Sequence, residues 1–266
     1  GLGDVYESQG VDAVNYNYGA IPQSYLLQNK AGKFQIDEQP VFKDLGLVTD
    51  ATWEDFDGDG DLDLIVVGEW MSPKFLRNDK GKFSDVSKEL LPDKLSGLWQ
   101  GIQPFDIDGD GDMDYLLGNW GLNSKFKASA ENPLLMYYSD FDGNGLSETL
   151  LAKEQDGKYY LLSGLDELGS QLTFLKKKFP TYASFAGKTV TEVLGAELIQ
   201  KAETRKVHTL ASGYLKNENG KFTFQKFDEQ LQVAPLKAFL RYDFDGDGAE
   251  EVLIGGNYFG VTPYHG

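Results

Sequence analysis

The chain has no cysteine and only two histidines among its 266 residues. It therefore cannot form disulfides or thiolate metal sites, and the sequence does not support a zinc centre. No apolar run approaches the roughly 18 residues of a membrane-spanning helix, so we expect no transmembrane segment in this chain. Basic residues are also few, since 25 Lys and Arg stand against 42 Asp and Glu. Without a basic stripe, nucleic acid is not an expected partner.

The acidic excess is concentrated in four loops, which we number 1 to 4 along the chain. These loops hold 18 of the 42 acidic residues and no Lys or Arg. The rest of the chain then has 42 − 18 = 24 acids against 25 bases, so it is close to neutral. The loops span residues 55–63, 106–114, 140–148 and 243–251.

Side chains with oxygen ligands alternate along each loop, as they do around a hard divalent cation. Calcium takes six to eight oxygens at about 2.3–2.6 Å. Side chains at positions 1, 3, 5 and 9 of a loop can converge if Gly at position 6 adopts a positive φ, and position 7 can add its backbone carbonyl. The predicted metal ligands are Asp55, Asp57, Asp59, Asp61 and Asp63; Asp106, Asp108, Asp110, Asp112 and Asp114; Asp140, Asp142, Asn144, Leu146 and Glu148; and Asp243, Asp245, Asp247, Ala249 and Glu251.

The loops differ from EF-hands, which need a Glu at position 12 and flanking helices. Position 12 is apolar here, and each loop continues into a β-prone run, so position 9 should lie where a strand begins. Metal-free Asp/Gly turns are the alternative, but each pair of like charges at about 4 Å would cost roughly 1–4 kcal/mol. Magnesium rarely uses an all-protein cage. The sequence thus predicts up to four calcium ions, with loop 3 the weakest because of Asn144 and Glu148.

An apolar residue stands at position 2 of every loop, and we expect it to point away from the metal and anchor the loop to a core. These residues are Phe56, Ile107, Phe141 and Phe244.

A second motif, Asn-x-x-Gly-Lys-Phe, recurs in phase with the loops and predicts β-hairpins. It covers residues 29–34, 78–83 and 217–222, with a reduced copy at 156–159. The common period is roughly 50 residues, which with several short strands per unit is typical of a propeller blade. We therefore predict an all-β fold, a single β-propeller domain over residues 1–266 with about five visible blades.

The regularity fails between loops 3 and 4, where residues 163–208 are predicted to form a small helical insertion. One helix is expected over residues 166–178, ending before Pro180. Thr189 to Glu192 reads as a capping box for a further helix through about Ala202. The chain starts at Gly1 without Met, and we expect a piece of a longer propeller.

The strand, the Asp-x-Asp-x-Asp-Gly-x-x-Asp loop and the run Leu-Ile-Val-x-Gly resemble the FG-GAP or VCBS repeat. That repeat builds the calcium-bearing propellers of integrin α subunits and of many secreted bacterial proteins. The segments Tyr-Leu-Leu-x-Asn-x-x-Gly-Lys-Phe and Gly118 to Asn123, with 175–182 in the insertion, resemble more closely a set of Bacteroidetes surface proteins. Those proteins are related to cartilage acidic protein and are often joined to an ASPIC/UnbV domain. The resemblance implies metal ligation by the four loops but no particular activity.

Three functions fit these features. The leading hypothesis is a calcium-stabilised binding module for a glycan or protein at the cell surface. It would be extracellular or on the outer membrane, because loose calcium sites suit about millimolar calcium. A propeller-type polysaccharide lyase or glycoside hydrolase is an alternative, and such a hydrolase needs two carboxylates flanking a sugar. Asp50, Glu54 and Glu69 are candidates, but nothing pairs them, so we identify no catalytic residue and expect no enzyme. The third possibility is a purely structural domain of a larger surface protein.

Overall fold

The computed structural model describes residues 18–257, so residues 1–17 and 258–266 of the predicted propeller lie outside it. The described residues form mostly β-structure, with five antiparallel sheets and several short helices. They divide into two compact units. The larger unit comprises residues 21–125 and 209–257, and the smaller unit comprises residues 18–20 and 126–208.

The larger unit contains four of these sheets. The first is a hairpin of β1 (Leu26–Lys30) and β2 (Lys33–Asp37). The second has the order β3 (Leu47–Glu54), β4 (Asp63–Met71), β5 (Lys74–Asp79) and β6 (Lys82–Asp85), with β7 (Gly97–Leu98) paired to β4. The third has the order β8 (Gly101–Phe105), β9 (Asp114–Gly118), β14 (Gly213–Asn217) and β15 (Phe222–Lys226). The fourth pairs β16 (Ala238–Tyr242) with β17 (Glu251–Gly255). Short helices lie at Pro40–Phe42, Ser87–Leu90 and Glu229–Gln232.

The predicted Asn-x-x-Gly-Lys-Phe hairpins are confirmed. They are β1–β2, β5–β6 and β14–β15. In each, the asparagine Oδ1 accepts the N–H of the glycine three residues later, at 2.9, 2.7 and 2.8 Å. This bond closes the turn, which explains why the motif needs both asparagine and glycine.

The core of the larger unit lies where the second and third sheets pack face to face. Ile65 of β4 and Phe75 of β5 pack with Tyr115 of β9, and the two rings are 5.6 Å apart in an edge-to-face arrangement. The opposite face of β4 is also covered, because Leu64 packs in a second cluster with Phe42. Since β4 follows loop 1 and β9 follows loop 2, both loops enter the core directly.

The smaller unit is one sheet covered by helices. Its strand order is β12 (Lys158–Leu161), β11 (Glu148–Gln155), β10 (Leu134–Ser139) and β13 (Glu203–Val207). Leu150 of β11 packs in one cluster with Leu168, Leu175 and Val193 of the helical segment. The helices are Leu165–Gln171, Phe174–Lys178, Tyr182–Phe185, Val190–Leu194 and Ala196–Lys201, all within the predicted insertion.

The two predicted helices are each broken in two. The first is interrupted because Leu172 leaves the helical conformation, with φ −111° and ψ 83°, while its side chain is fully buried in the core. The stop before Pro180 is confirmed, since the helix ends at Lys178. The capping box is confirmed as well, because Thr189 and Glu192 exchange both hydrogen bonds. That helix does not reach Ala202, because Gly195 interrupts it with a φ of 89°.

Among residues 18–257, no helix is both long and apolar enough to cross a membrane.

Candidate metal centres

Each acidic loop joins two antiparallel strands of one sheet. The loops lie between β3 and β4, β8 and β9, β10 and β11, and β16 and β17. In all four, the residue at position 9 is the first residue of the second strand, as the sequence predicts. A ligand bound by the loop would therefore be held where the chain enters the sheet.

The carboxylates at positions 1, 3 and 9 converge in every loop. One oxygen from each of the three side chains lies within 4.8 Å of the others. The converging groups are Asp55, Asp57 and Asp63; Asp106, Asp108 and Asp114; Asp140, Asp142 and Glu148; and Asp243, Asp245 and Glu251. Carboxylate oxygens are the ligands that a hard divalent cation prefers, and all four loops bring them together at the same spacing.

The backbone of each loop curls around the position 1 carboxylate. In loop 1, Asp55 accepts the N–H of Gly58 at 2.9 Å and the N–H of Gly60 at 3.0 Å, one on each oxygen. The other three loops repeat this pair of bonds. Gly60 has a φ of 93°, which confirms the predicted positive φ at position 6. Gly58 at position 4 also has a positive φ, 75°, a requirement that the sequence analysis missed although all four loops have glycine there.

The carboxylate at position 9 closes each loop on itself. It accepts the N–H of the residue at position 2, at 2.9 to 3.1 Å in the four loops. Asp63, Asp114 and Glu148 are buried, with at most 5% of their surface exposed. Burial raises the pKa of Asp63 and of Glu148, because it penalises the charged form, and neighbouring loop carboxylates raise it further.

The hairpin asparagine binds the closing carboxylate in the second and third sheets. Asn78 donates its N–H to Asp63 Oδ1 at 2.7 Å, and Asn217 donates its N–H to Asp114 Oδ1 at the same distance. The Asn78 side chain also donates to the carbonyl of Leu62, at 2.9 Å. This contact is not among those predicted from the sequence, although the common spacing of loop and hairpin along the chain indicates that the two lie close together. The acidic loop, the start of the following strand and the hairpin are therefore joined by hydrogen bonds in each of these two sheets.

The prediction that position 2 anchors each loop is confirmed for loops 1 and 3 and is wrong for loop 4. Phe56 packs edge-on against Phe75 at 5.2 Å, and Phe141 is 4% exposed in the core of the smaller unit. Ile107 is half-buried. Phe244, in contrast, is 73% exposed, because no described residue covers this face of the two-stranded sheet.

Positions 5 and 7 do not join the converging carboxylate groups. The position 5 side chain instead accepts the N–H of position 7 in all four loops, for example Asp61 N–H to Asp59 Oδ1 at 2.8 Å. Asp61 itself accepts the N–H of Lys80 at 2.8 Å. Ligation by position 5 and by the position 7 carbonyl stays a prediction.

The donor set fits calcium. It consists of oxygen atoms, most of them on carboxylates, and the three converging groups leave room for carbonyl or water ligands. The loop 2 group, Asp106, Asp108 and Asp114, has the same three positions as the groups of the other loops. A bound calcium would supply positive charge at the point where the loop carboxylates converge.

The pH dependence of stability is expected to change sign with calcium. Without calcium, the raised pKa of Asp63 and Glu148 means that the folded state binds protons which the unfolded state does not, so stability rises as pH falls from neutral through these pKa values. Asp140 has the opposite effect on stability, because the Gly145 N–H lowers its pKa. Its stabilising contribution is lost only when the pH falls below the ordinary carboxylate range. With calcium, acidification should destabilise the protein, because protons compete with the ion. Calorimetry between about pH 7 and 5 in calcium-free and calcium-saturated buffers would check this, and parallel trends would contradict it.

Of the three carboxylates considered for catalysis, two accept hydrogen bonds from other strands or loops of the larger unit, and the third is partly buried. Asp50 of β3 accepts the N–H of Ile102 of β8 at 3.0 Å. Glu69 is buried and accepts the side-chain N–H of Gln100 at 2.8 Å. Burial raises the pKa of Glu54, against the lowering effect of Arg241. Asp50 and Glu69 therefore hold neighbouring parts of the larger unit together.

Comparison with protein families gives one match. Residues 55–117 match the FG-GAP-like repeat family, and this segment runs from the first residue of loop 1 through loop 2 into β9. Domains built from this repeat are generally binding or structural modules, not enzymes. A search among curated proteins finds no match to the chain.

Proposed function

We propose that this chain is a calcium-stabilised β-propeller that acts as an extracellular binding module for a glycan or protein at the cell surface. The observation that carries the proposal is the convergence of three carboxylates at the strand entrance in all four loops. The FG-GAP-like match over residues 55–117 supports the same reading for the first two loops.

Calcium has a structural role in this proposal. The position 9 acid of each loop is the first residue of the following strand, so a bound ion would hold the start of that strand and the hairpin attached to it in place. Up to four ions bind, one in each loop, and about five blades form the propeller. Such sites are filled at about the millimolar calcium of an extracellular fluid. The chain would then be secreted or displayed on the outer membrane.

Binding to a glycan array in calcium, with a calcium titration on the same preparation, tests this function. Saturable binding to a defined glycan or surface protein supports it. Depolymerisation of a polysaccharide by the chain would instead favour a lyase or hydrolase. A chain that binds calcium but neither binds nor cleaves any ligand would favour a purely structural domain.

Loop 3 should bind calcium more weakly than loop 1. It has Asn144 where loop 1 has Asp59, so it offers one fewer carboxylate at the side-chain ligand positions 1, 3, 5 and 9, and ligand charge tunes calcium affinity. In a calcium titration followed by NMR, Gly145 should shift after Gly60. Asn144→Asp should tighten the site several-fold. Earlier filling of loop 3 than of loop 1 would contradict this ranking.

A further inference from the structure

Loop 2 already contains a cation of the protein itself. Lys216 Nζ lies 2.7 Å from Asp108 Oδ2, and Asp108 is the position 3 member of the converging group. The two side chains are about one-third exposed, at 31% and 36%. This ion pair therefore places an ammonium beside a carboxylate that calcium would need.

Loop 1 provides the comparison. Lys216 stands directly before the hairpin asparagine Asn217, and Arg77 stands directly before Asn78 at the matching position of the second sheet. Arg77 is exposed and makes no ion pair with any residue in the range 18–257. The two sheets thus share the same backbone arrangement but differ in whether a cation reaches the loop.

The charge of Lys216 has two opposite effects. Without calcium it offsets the mutual repulsion of the loop 2 carboxylates, because Nζ lies 2.7 Å from Asp108 Oδ2. With calcium it places a positive charge within a few ångströms of a divalent cation, which weakens ion binding. The lysine stem is flexible, so the ammonium can move away from Asp108 when calcium binds.

We propose that Lys216 is a built-in counter-cation that holds loop 2 when calcium is absent and sets a lower calcium affinity for this loop than for loop 1. Lys216 is thus a residue that determines affinity and is not itself a ligand. The inference rests on the proposed calcium function. It makes loop 2 respond to a higher range of calcium concentration than loop 1, although the carboxylates of the two loops are the same.

Lys216→Gln tests this proposal, with Arg77→Gln as the matched control and Lys216→Arg as the variant that keeps the charge. In calcium titration calorimetry, Lys216→Gln should tighten one site by about five- to tenfold, the order expected for removing one nearby charge. The same variant should melt at a lower temperature than wild type in calcium-free buffer, but at an equal or higher temperature in saturating calcium. Arg77→Gln should change each site by less than about twofold, and Lys216→Arg should resemble wild type.

The outcomes separate this proposal from the proposed function. If wild type binds calcium and Lys216→Gln leaves every site unchanged or weaker, the role of Lys216 is overturned. An equal gain in Arg77→Gln would overturn it too, because the effect would then be one of net charge. If wild type binds no calcium, the proposed function fails and this inference fails with it. If Lys216→Gln does not fold without calcium, competition against a chelator in the calcium-loaded state still measures the affinity.

Discussion

Removing calcium is expected to lower the melting temperature of the protein by at least about 10 °C. At about 2 mM calcium and a site constant near 20 µM, each filled site adds roughly 2.7 kcal/mol to the free energy of unfolding. The larger unit contains three loops and the smaller unit one, so both should be affected. Scanning calorimetry in calcium and in excess chelator measures the shift.

The control for this experiment is to add calcium, or magnesium, back to the chelated protein. Returning calcium to the chelated protein should restore the original curve, whereas magnesium at the same concentration should restore little of it, because magnesium demands a smaller and more rigid shell. Curves that superimpose with and without chelator would rule out the structural role of calcium, whatever the geometry of the carboxylates.

The sequence predicts the loops and strands of this chain well because their signals are local. Gly60 and Asp63 lie within one nine-residue loop, so spacing alone indicates the positive φ and the point of strand entry. The hairpin turns are equally local, since Asn78 closes its own turn on Gly81. Periodicity across the chain then indicates repeated β-units.

What the sequence cannot supply is the contact between segments that are distant in the chain. Asn217 binds Asp114, 103 residues away, and Lys216 forms an ion pair with Asp108 of loop 2. The pairing of β9 with β14 brings these residues together. Residues 126–208, which form a separate unit, lie between the two strands in the chain, so sequence spacing does not indicate the pairing. The exposure of Phe244 is also non-local, since it depends on which face of a sheet another layer covers.

The two carboxylate positions of loop 1 are expected to behave differently when they are removed. Asp63→Ala should lower the free energy of unfolding by about 2–5 kcal/mol with or without calcium. Asp63 is fully buried and accepts the N–H groups of Phe56 and Asn78, so its removal leaves two donors unsatisfied in addition to losing a ligand. Asp57 is exposed, and its one hydrogen bond within the loop accepts the N–H of Asp59 at 3.3 Å. Its main contribution to the loop is therefore its negative charge.

Asp57→Ala is therefore the matched control for Asp63→Ala, and its effect should depend on calcium. In saturating calcium it should cost about 2–3 kcal/mol, the share of one weakened site. In chelator it should cost close to nothing, because removing one of five like charges relieves repulsion in the metal-free loop. Denaturant unfolding of both variants in the two buffers measures the four differences.

Glycan or protein binding by Asp57→Ala should persist at a temperature where the variant is folded, since the proposed role of the ion is to hold the start of the strand and not to contact the ligand. If Asp57→Ala instead kept full stability in calcium but lost ligand binding, the ion would belong to the recognition surface and its structural role would be wrong.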